Sequence, residues 1–159
     1  MFETAQGKIN DNDFTLAKPQ KFMNLSGQAI KVLLPIVGVT IDNLWVVHDE
    51  ADLALGRLKI SRGTSAAGHK GVLSIMESIG DINFVRFRIG IATEPTRQVS
   101  LEEYVLDKPR RGEYVQVHAA INQTAEAIKF ALENDIATTM SRYNQLTKKW
   151  TTSEQAHEV

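Results

Sequence analysis

The sequence predicts an α/β fold, a three-layer sandwich of helices around a mixed, mostly parallel twisted sheet. Segments with alternating or continuously apolar residues, typical of strands, follow segments with apolar residues at helical spacing. The 159 residues are 43% hydrophobic and 23% charged, a composition typical of a globular protein with a sizeable core. We expect one domain over residues 1–150 and a polar tail over residues 151–159.

Several segments have the pattern of strands. Residues 7–10 and 14–18 flank an Asp-Asn-Asp turn signal and predict a hairpin. The apolar run 44–47 predicts a buried strand that ends at His48, and Gly56 opens another strand. Residues 84–91 give the clearest strand signal, because apolar side chains alternate there with Arg86 and Arg88. We therefore expect those two arginines on one face of the strand.

Four segments have the pattern of helices. The first begins near Leu25, and Pro35 should kink or end it near its last turn. The second ends at Gly80. A long helix over residues 113–133 is predicted to bury one stripe, and Asp135 can cap a last helix. The predicted stripe consists of Val117, Ile121, Ala125, Ile128 and Leu132.

Composition excludes several functions. There is no cysteine, so disulfides and cysteine metal sites are absent. No apolar run is long enough to span a membrane, and the start does not resemble a secretory signal, so we expect a cytoplasmic protein. The net charge of -1 argues against a general polyanion binder. Clusters of basic residues do occur, but charge alone favours solvated patches over contacts with nucleic acid.

Three motifs could carry chemistry, although each is weak alone. In Phe-Met-Asn-Leu-Ser-Gly from Phe22, Asn24 stands at a helix entry, where a capping role is slightly favoured over a site role. In His-Asp-Glu-Ala-Asp-Leu from His48, the acids could bind a metal, but a solvated strand end is favoured. Residues 65–71 contain small side chains and precede the start of a helix, so their backbone could approach an anion. They lack the Walker spacing of a nucleotide-binding loop, and alone they predict a flexible turn.

In this order and spacing, these motifs resemble the bacterial peptidyl-tRNA hydrolase family. The matching segments are residues 18–27, 48–56, 67–71, 87–91 and 104–106, and residues 140–144 resemble the family's closing helix. The likeness extends to about residue 146 without a large insertion. It implies an enzyme that hydrolyses the ester between a peptide and the terminal adenosine of a tRNA, with no metal or other cofactor.

The resemblance also implies roles for individual residues. Asp49 would orient the family's catalytic histidine and stabilise its proton-accepting form, and Asn24 would act beside the scissile ester. The substrate end would be bound by Phe22, Met23, Asn24, Gly68, His69 and Lys70. The RNA backbone would be bound by Lys59, Arg62, Arg86, Arg88 and Arg97, which reverses the interpretation from charge alone. The implied partner is peptidyl-tRNA, and we expect a monomer with no membrane association.

Two departures from the family pattern stand out. The family begins with a glycine-containing strand and loop bearing an asparagine, followed by a Thr-Arg-His-Asn segment with the catalytic histidine, and neither occurs in these 159 residues. His48 and His69 lie inside other matched motifs and do not replace it. Lys70 stands where the family usually has asparagine, and lysine offers donors but no acceptor. We expect little hydrolase activity from these residues alone, because the general base is missing. We also expect marginal stability, because a strand edge and apolar surface would be exposed.

Two other functions remain open at this point. A non-catalytic RNA-binding relative fits the absent histidine and Lys70, although it has no evident need for both Asn24 and Asp49. A metal-dependent phosphohydrolase using His48, Asp49 and Asp52 is the weaker possibility.

Overall fold

The computed structural model describes residues 1–93 and 111–154. The chain forms two compact units whose sequences interleave. The first unit consists of Met1–Val46 and Arg62–Val85, and the second of Val47–Ser61 and Arg86–Val159. Neither unit is therefore a continuous stretch of chain.

The first unit begins with the predicted hairpin. Strands β1 (Phe2–Ile9) and β2 (Asn12–Pro19) pair in antiparallel register from Phe2 opposite Pro19 to Ile9 opposite Asn12. The turn lies slightly earlier than the Asp-Asn-Asp signal suggests, because Asn10 takes a φ of 52°. Asparagine tolerates this left-handed conformation, which a tight two-residue hairpin turn requires.

Two helices follow in the first unit, and both end as predicted. Helix α1 (Ser26–Val37) contains Pro35 in its last turn, and α2 (Lys70–Ile79) ends at Gly80, whose φ is 76°. Glycine takes this left-handed conformation without a steric cost, which explains the helix end. The buried core of the unit consists of Ile30, Ala66, Val72, Ile75, Met76 and Phe84.

A three-stranded sheet provides the mixed sheet that the sequence predicts. Its strands β3 (Trp45–Ala54), β4 (Leu58–Arg62) and β5 (Val85–Ala92) lie in the order β3-β5-β4. The Val85 N–H donates to the Leu44 carbonyl at 3.1 Å, and Leu55 N–H donates to the Ala92 carbonyl at 2.8 Å, so β3 and β5 run parallel. Strand β4 is antiparallel to β5, since Gly90 exchanges backbone hydrogen bonds with Gly56 and Arg57.

Strand β3 is longer than predicted. From the apolar run we expected the strand to end at His48, with Asp49 just past it, but the strand continues through Asp49 to Ala54. The alternation of buried and less buried residues persists across the polar segment, with His48 8% and Glu50 3% exposed. Polar residues take these inward positions because a charged partner on β5 compensates Glu50, which an apolar pattern could not reveal.

The second unit also contains helices α3 (Arg111–Glu133) and α4 (Ile136–Glu154). Asp135 caps α4 as predicted, since its Oδ1 accepts the Thr138 N–H at 2.8 Å. The predicted stripe of α3 is partly wrong, because Ile121 is 45% exposed and Ala125 is exposed, whereas Val117, Ile128 and Leu132 are half-buried as expected. Small side chains are buried instead, which allows close packing of this helix: Ala120, Thr124, Ala127 and Ala131. No helix of the described residues is long and apolar enough to cross a membrane.

Helix α4 makes one specific contact with the sheet. The Ile60 N–H donates to Asn144 Oδ1 at 2.8 Å, and Asn144 Nδ2 donates to the Ile60 carbonyl at 3.0 Å. Strand β4 lies at the edge of the three-stranded sheet, so the amide of Asn144 occupies the place that a further strand would take.

Candidate functional site

The first motif forms a tight turn in front of α1. A short 3₁₀ turn covers Met23–Leu25, in which the Leu25 N–H donates to the Phe22 carbonyl at 2.8 Å. Ser26 Oγ donates to the Met23 carbonyl at 2.8 Å and fixes the junction. The N-cap of α1 is Leu25, and no side chain caps this end, so the expected capping role of Asn24 is wrong. Asn24 is exposed at the turn, and its site role stays a prediction.

The glycine-containing motif forms the entry to α2. Ala67 and Gly68 take positive φ angles of 47° and 80°, and His69 becomes the N-cap residue. His69 Nδ1 accepts the backbone N–H groups of Gly71 and Val72 at 3.2 Å each. The start of α2 therefore already uses two of its N–H groups internally, which reduces its capacity for an anion. Lys70 follows as an exposed first residue of the helix.

These two motifs meet within the first unit. A Cβ at Gly71 would lie 2.4 Å from Met23 Sδ, so the absence of a side chain lets the Met23 thioether sit against the start of α2. The helices themselves also approach closely, since the Gly27 N–H donates to Ser74 Oγ at 3.1 Å. We call the resulting surface the loop surface and define it by Phe22, Met23, Asn24, Gly68, His69 and Lys70.

An exposed aromatic ring dominates the loop surface. Phe22 is 81% exposed, which is unusual for a side chain of this size. Beside it lies a pocket of about 450 Å³ lined by Gln20, Lys21, Phe22 and Leu25. An exposed ring next to a lysine suits a nucleobase that stacks and a phosphate that pairs with the charge. Gln20 and Lys21 belong to the matched segment 18–27, but no role was predicted for them from the sequence.

Asp49 belongs to the second unit. It lies within β3 and is half-buried, on the opposite face of the strand from His48 and Glu50. His48 is 8% exposed, and its Nδ1 lies 2.6 Å from the backbone carbonyl oxygen of Asp49. This contact fixes the His48 ring against the backbone at the position of the predicted catalytic carboxylate.

A buried ion pair lies on the other face of β3. Arg88 Nε and Nη2 donate to Glu50 Oε2 at 3.0 and 2.9 Å, and Glu50 Oε1 accepts the Asp52 N–H at 3.4 Å. Arg86 is 1% exposed, and burial lowers its pKa, helped by the charge of Arg88 and opposed by Glu50. We call Glu50, Arg86 and Arg88 the charged cluster.

The charged cluster corrects part of the predicted RNA-binding face. Arg86 was expected on a surface with Arg88, but it is buried, so it does not offer its guanidinium to a phosphate. The i, i+2 spacing did predict that both arginines share one face of β5. That face is buried because Glu50 draws Arg88 inward, a pairing of residues 38 positions apart. Glu50 is thus a residue that the sequence analysis missed.

The remaining predicted cations differ in their surroundings. Arg62 Nη2 lies 2.7 Å from Asp42 Oδ1, and Arg62 Nε donates to the Asn83 carbonyl at 2.8 Å. Its charge is thus partly compensated by a carboxylate that no sequence signal pointed to. Lys59 is exposed on β4. Arg97 lies outside the described residues, as does the segment 104–106 that contributed to the resemblance.

The metal alternative has no ligand set in the described part of the chain. No group of three or more His, Asp or Glu side chains there is arranged to hold a metal ion. Asp49 and His48 are neighbours on a strand and therefore point to opposite faces. His48, Asp49 and Asp52 therefore form no shared metal-ligand set among the described residues.

Together these features define an α/β protein with an exposed aromatic loop surface and a half-buried carboxylate within strand β3. Comparison with known proteins is specific: the peptidyl-tRNA hydrolase family model matches residues 2–152. The chain belongs to this family. The peptidyl-tRNA hydrolases of Dehalococcoides mccartyi and Thermodesulfovibrio yellowstonii are 38% and 36% identical to it, over 89% and 87% of this chain and 76% and 74% of theirs.

The solved structures agree with this assignment. The crystal structure of peptidyl-tRNA hydrolase from Acinetobacter baumannii is similar with a TM-score of 0.82 and 26% identity. The match covers 90% of this chain and 72% of that one. The predicted family and α/β fold are therefore confirmed.

Proposed function

We propose that this chain binds the acceptor end of peptidyl-tRNA on its loop surface and serves the hydrolysis of the ester between peptide and tRNA. The observation that carries the proposal is the contact of Met23 with Gly71, which joins two motifs from distant parts of the sequence. Membership of the peptidyl-tRNA hydrolase family supports the same substrate. Phe22 would stack on a base, and Asn24 would hydrogen-bond near the ester.

The proposed chemistry is general-base hydrolysis. Water attacks the ester carbonyl and gives its proton to a histidine. The bond between the carbonyl carbon and the ribose oxygen then breaks, and the histidine returns the proton to that oxygen, so that the peptide acid and the ribose hydroxyl form. Asp49 would orient that histidine by accepting its ring N–H, as a carboxylate does in catalytic triads. The Thr-Arg-His-Asn segment of the family does not occur in these 159 residues. A protein of these residues alone is therefore expected to bind the substrate but to hydrolyse it slowly.

The RNA backbone would be held by exposed cations. Lys59 is exposed on β4, and Lys70 is exposed at the start of α2. Such contacts supply affinity that does not depend on RNA sequence and that falls with salt. Since the substrate arises in translation, we place this function in the cytoplasm, and we propose that the protein acts as a monomer.

Hydrolysis and binding of peptidyl-tRNA by two proteins test this proposal. One is the 159-residue chain, and the other carries in addition the N-terminal Thr-Arg-His-Asn segment of a family member. We expect both to bind and only the extended protein to release peptide rapidly. In the extended protein, Asn24→Ala and Asp49→Asn should each lower the rate by about a hundredfold, the scale of a general acid–base contribution.

The outcomes separate an esterase from a non-catalytic RNA-binding relative. Rapid hydrolysis by the 159-residue chain would contradict the expected need for the added histidine. Tight binding without hydrolysis in the extended protein would favour the RNA-binding relative. Absence of binding in both proteins would remove the role of the loop surface.

A further inference from the structure

The buried ion pair between Glu50 and Arg88 has a geometry that fixes one side of the arginine. Arg88 Nε and Nη2 both donate to Glu50 Oε2, at 3.0 and 2.9 Å. A guanidinium is planar and carries five N–H groups, so donation from the Nε–Nη2 side turns its Nη1 side away from the carboxylate. The Arg88 side chain is 14% exposed, whereas that of Glu50 is 2% exposed.

Glu50 is itself held in place. Its Oε1 accepts the Asp52 N–H at 3.4 Å, so the carboxylate is tied to the strand that bears it. Glu50 is 3% exposed, so it differs from a mobile surface carboxylate, which would merely neutralise a cation. A buried, hydrogen-bonded carboxylate restricts the rotamers of a long arginine far more than an exposed one does.

We infer that Glu50 is a positioning residue that orients Arg88 so that the outer edge of its guanidinium binds a phosphate of the tRNA backbone. The inference rests on the proposed function, because it assigns a supporting residue to the same RNA interface. A carboxylate thus supports RNA binding, although its negative charge by itself would repel the RNA phosphates. Arg86, buried in the same cluster, contributes positive potential rather than a direct contact.

A positioning role of Glu50 and long-range electrostatics predict opposite changes in RNA affinity when Glu50 loses its charge. Glu50→Gln removes a negative charge and would strengthen RNA binding if charge alone mattered. If Glu50 positions Arg88, the same change weakens binding, by about tenfold for the loss of one well-oriented charge-assisted hydrogen bond. The slope of log affinity against log salt should also fall in magnitude by about 1, as one phosphate contact is lost.

The experiment measures the affinity of the 159-residue chain for deacylated tRNA at several salt concentrations. Glu126→Gln is the matched control, because it removes an equal charge from an exposed carboxylate that pairs with Lys129 at 3.1 Å. We expect Glu126→Gln to bind tRNA as tightly as the unmodified chain or slightly more tightly. Glu50→Gln binding equal to or tighter than that of the unmodified chain would overturn the inference.

A second variant covers the case in which Glu50→Gln does not fold. Arg88→Lys keeps the charge and its pairing with Glu50 but lacks the planar fork. We expect it to fold and to bind tRNA about tenfold more weakly, since a lysine paired inward has no second edge. Unchanged affinity in this variant would also overturn the inference. If the unmodified chain does not bind tRNA, the proposed function itself fails, and this inference fails with it.

Discussion

The side-chain amide of Asn144 pairs with both backbone polar groups of Ile60, at 2.8 and 3.0 Å. Ile60 is 1% exposed, so its N–H and carbonyl have little access to water. An amide is a side chain that donates and accepts at once, which explains why asparagine stands here. Helix α4 is thereby attached to the edge of the sheet.

Removal of this amide should destabilise the fold. We expect Asn144→Ala to lower the free energy of unfolding by about 2–4 kcal/mol, because two buried backbone groups lose their partners. Asn144→Asp should also destabilise the fold, since a carboxylate accepts the Ile60 N–H but cannot donate to the Ile60 carbonyl. Urea unfolding followed by circular dichroism measures both. Asn122→Ala, at an exposed position of α3, is the control, with an expected change within about 0.5 kcal/mol.

Gly27 should not tolerate even a methyl group. A Cβ there would lie 1.9 Å from the Ser74 carbonyl oxygen, and that oxygen belongs to the backbone of α2. We expect Gly27→Ala to force the helices apart and to cost at least about 3 kcal/mol of unfolding free energy. Gly112→Ala, where a Cβ meets nothing within 4 Å, should stabilise α3 by up to about 1 kcal/mol. Equal melting temperatures of the two variants would contradict this contrast.

The cap of α4 predicts a dependence of stability on pH. The Thr138 hydroxyl, and next the Thr138 N–H, hold the pKa of the Asp135 carboxyl below its ordinary value. A lowered pKa in the folded state stabilises the fold wherever the pH lies above the unfolded-state pKa. That stabilisation is lost as the pH falls from the ordinary carboxyl range through the lowered pKa.

Two variants test this dependence. Asp135→Asn keeps a capping side chain without a titrating group, so its melting temperature should approach that of the unmodified chain as the medium is acidified. Thr138→Ala removes the largest cause of the shift and should raise the pKa of Asp135, as seen by carboxyl carbon NMR. A difference in melting temperature between Asp135→Asn and the unmodified chain that does not change with pH would refute the assignment.

Phe22 should contribute to RNA binding and not to folding. Its ring is 81% exposed, so Phe22→Ala removes little buried surface. We expect the affinity for tRNA to fall about tenfold, the scale of one base stacked on an aromatic ring. Ile36→Ala provides the control, since that side chain is 68% exposed on α1 of the same unit. Fluorescence titration with labelled tRNA measures both, and an equal effect of the two variants would argue against stacking.

Local signals in the sequence predicted most of the elements correctly. The end of α2 depends on the left-handed conformation of Gly80, and the start of α4 depends on the capping carboxylate of Asp135. Both follow from the type of a single residue, which can be read from the sequence. The hairpin and the strand of Arg86 and Arg88 depend on short-range alternation. These features could be predicted because their causes lie within a few residues of each other.

The features that escaped prediction have distant causes. The extension of β3 and the burial of Arg86 depend on Glu50 and Arg88, which are 38 residues apart. The buried stripe of α3 follows small residues such as Ala120 and Ala127, whereas the hydrophobic pattern favoured larger ones. The position of Asn24 outside any cap depends on a 3₁₀ turn that shifts the helix start by one residue. Such features depend on contacts between residues that are distant in sequence, and these contacts cannot be read from a single sequence.

The interleaving of the two units has a consequence for synthesis on the ribosome. Chains emerge from the amino terminus, and the first unit needs residues up to Val85 before it is complete. During that time the segment Val47–Ser61 is a loop between two halves of a folding unit, and its closure adds a modest entropic cost. Glu50 has no Arg88 to pair with until the ribosome has synthesised β5. The order of translation thus leaves the Glu50 carboxylate of the nascent chain exposed, and mutations that slow the synthesis or pairing of β5 should lower the yield of folded protein before they alter its final stability.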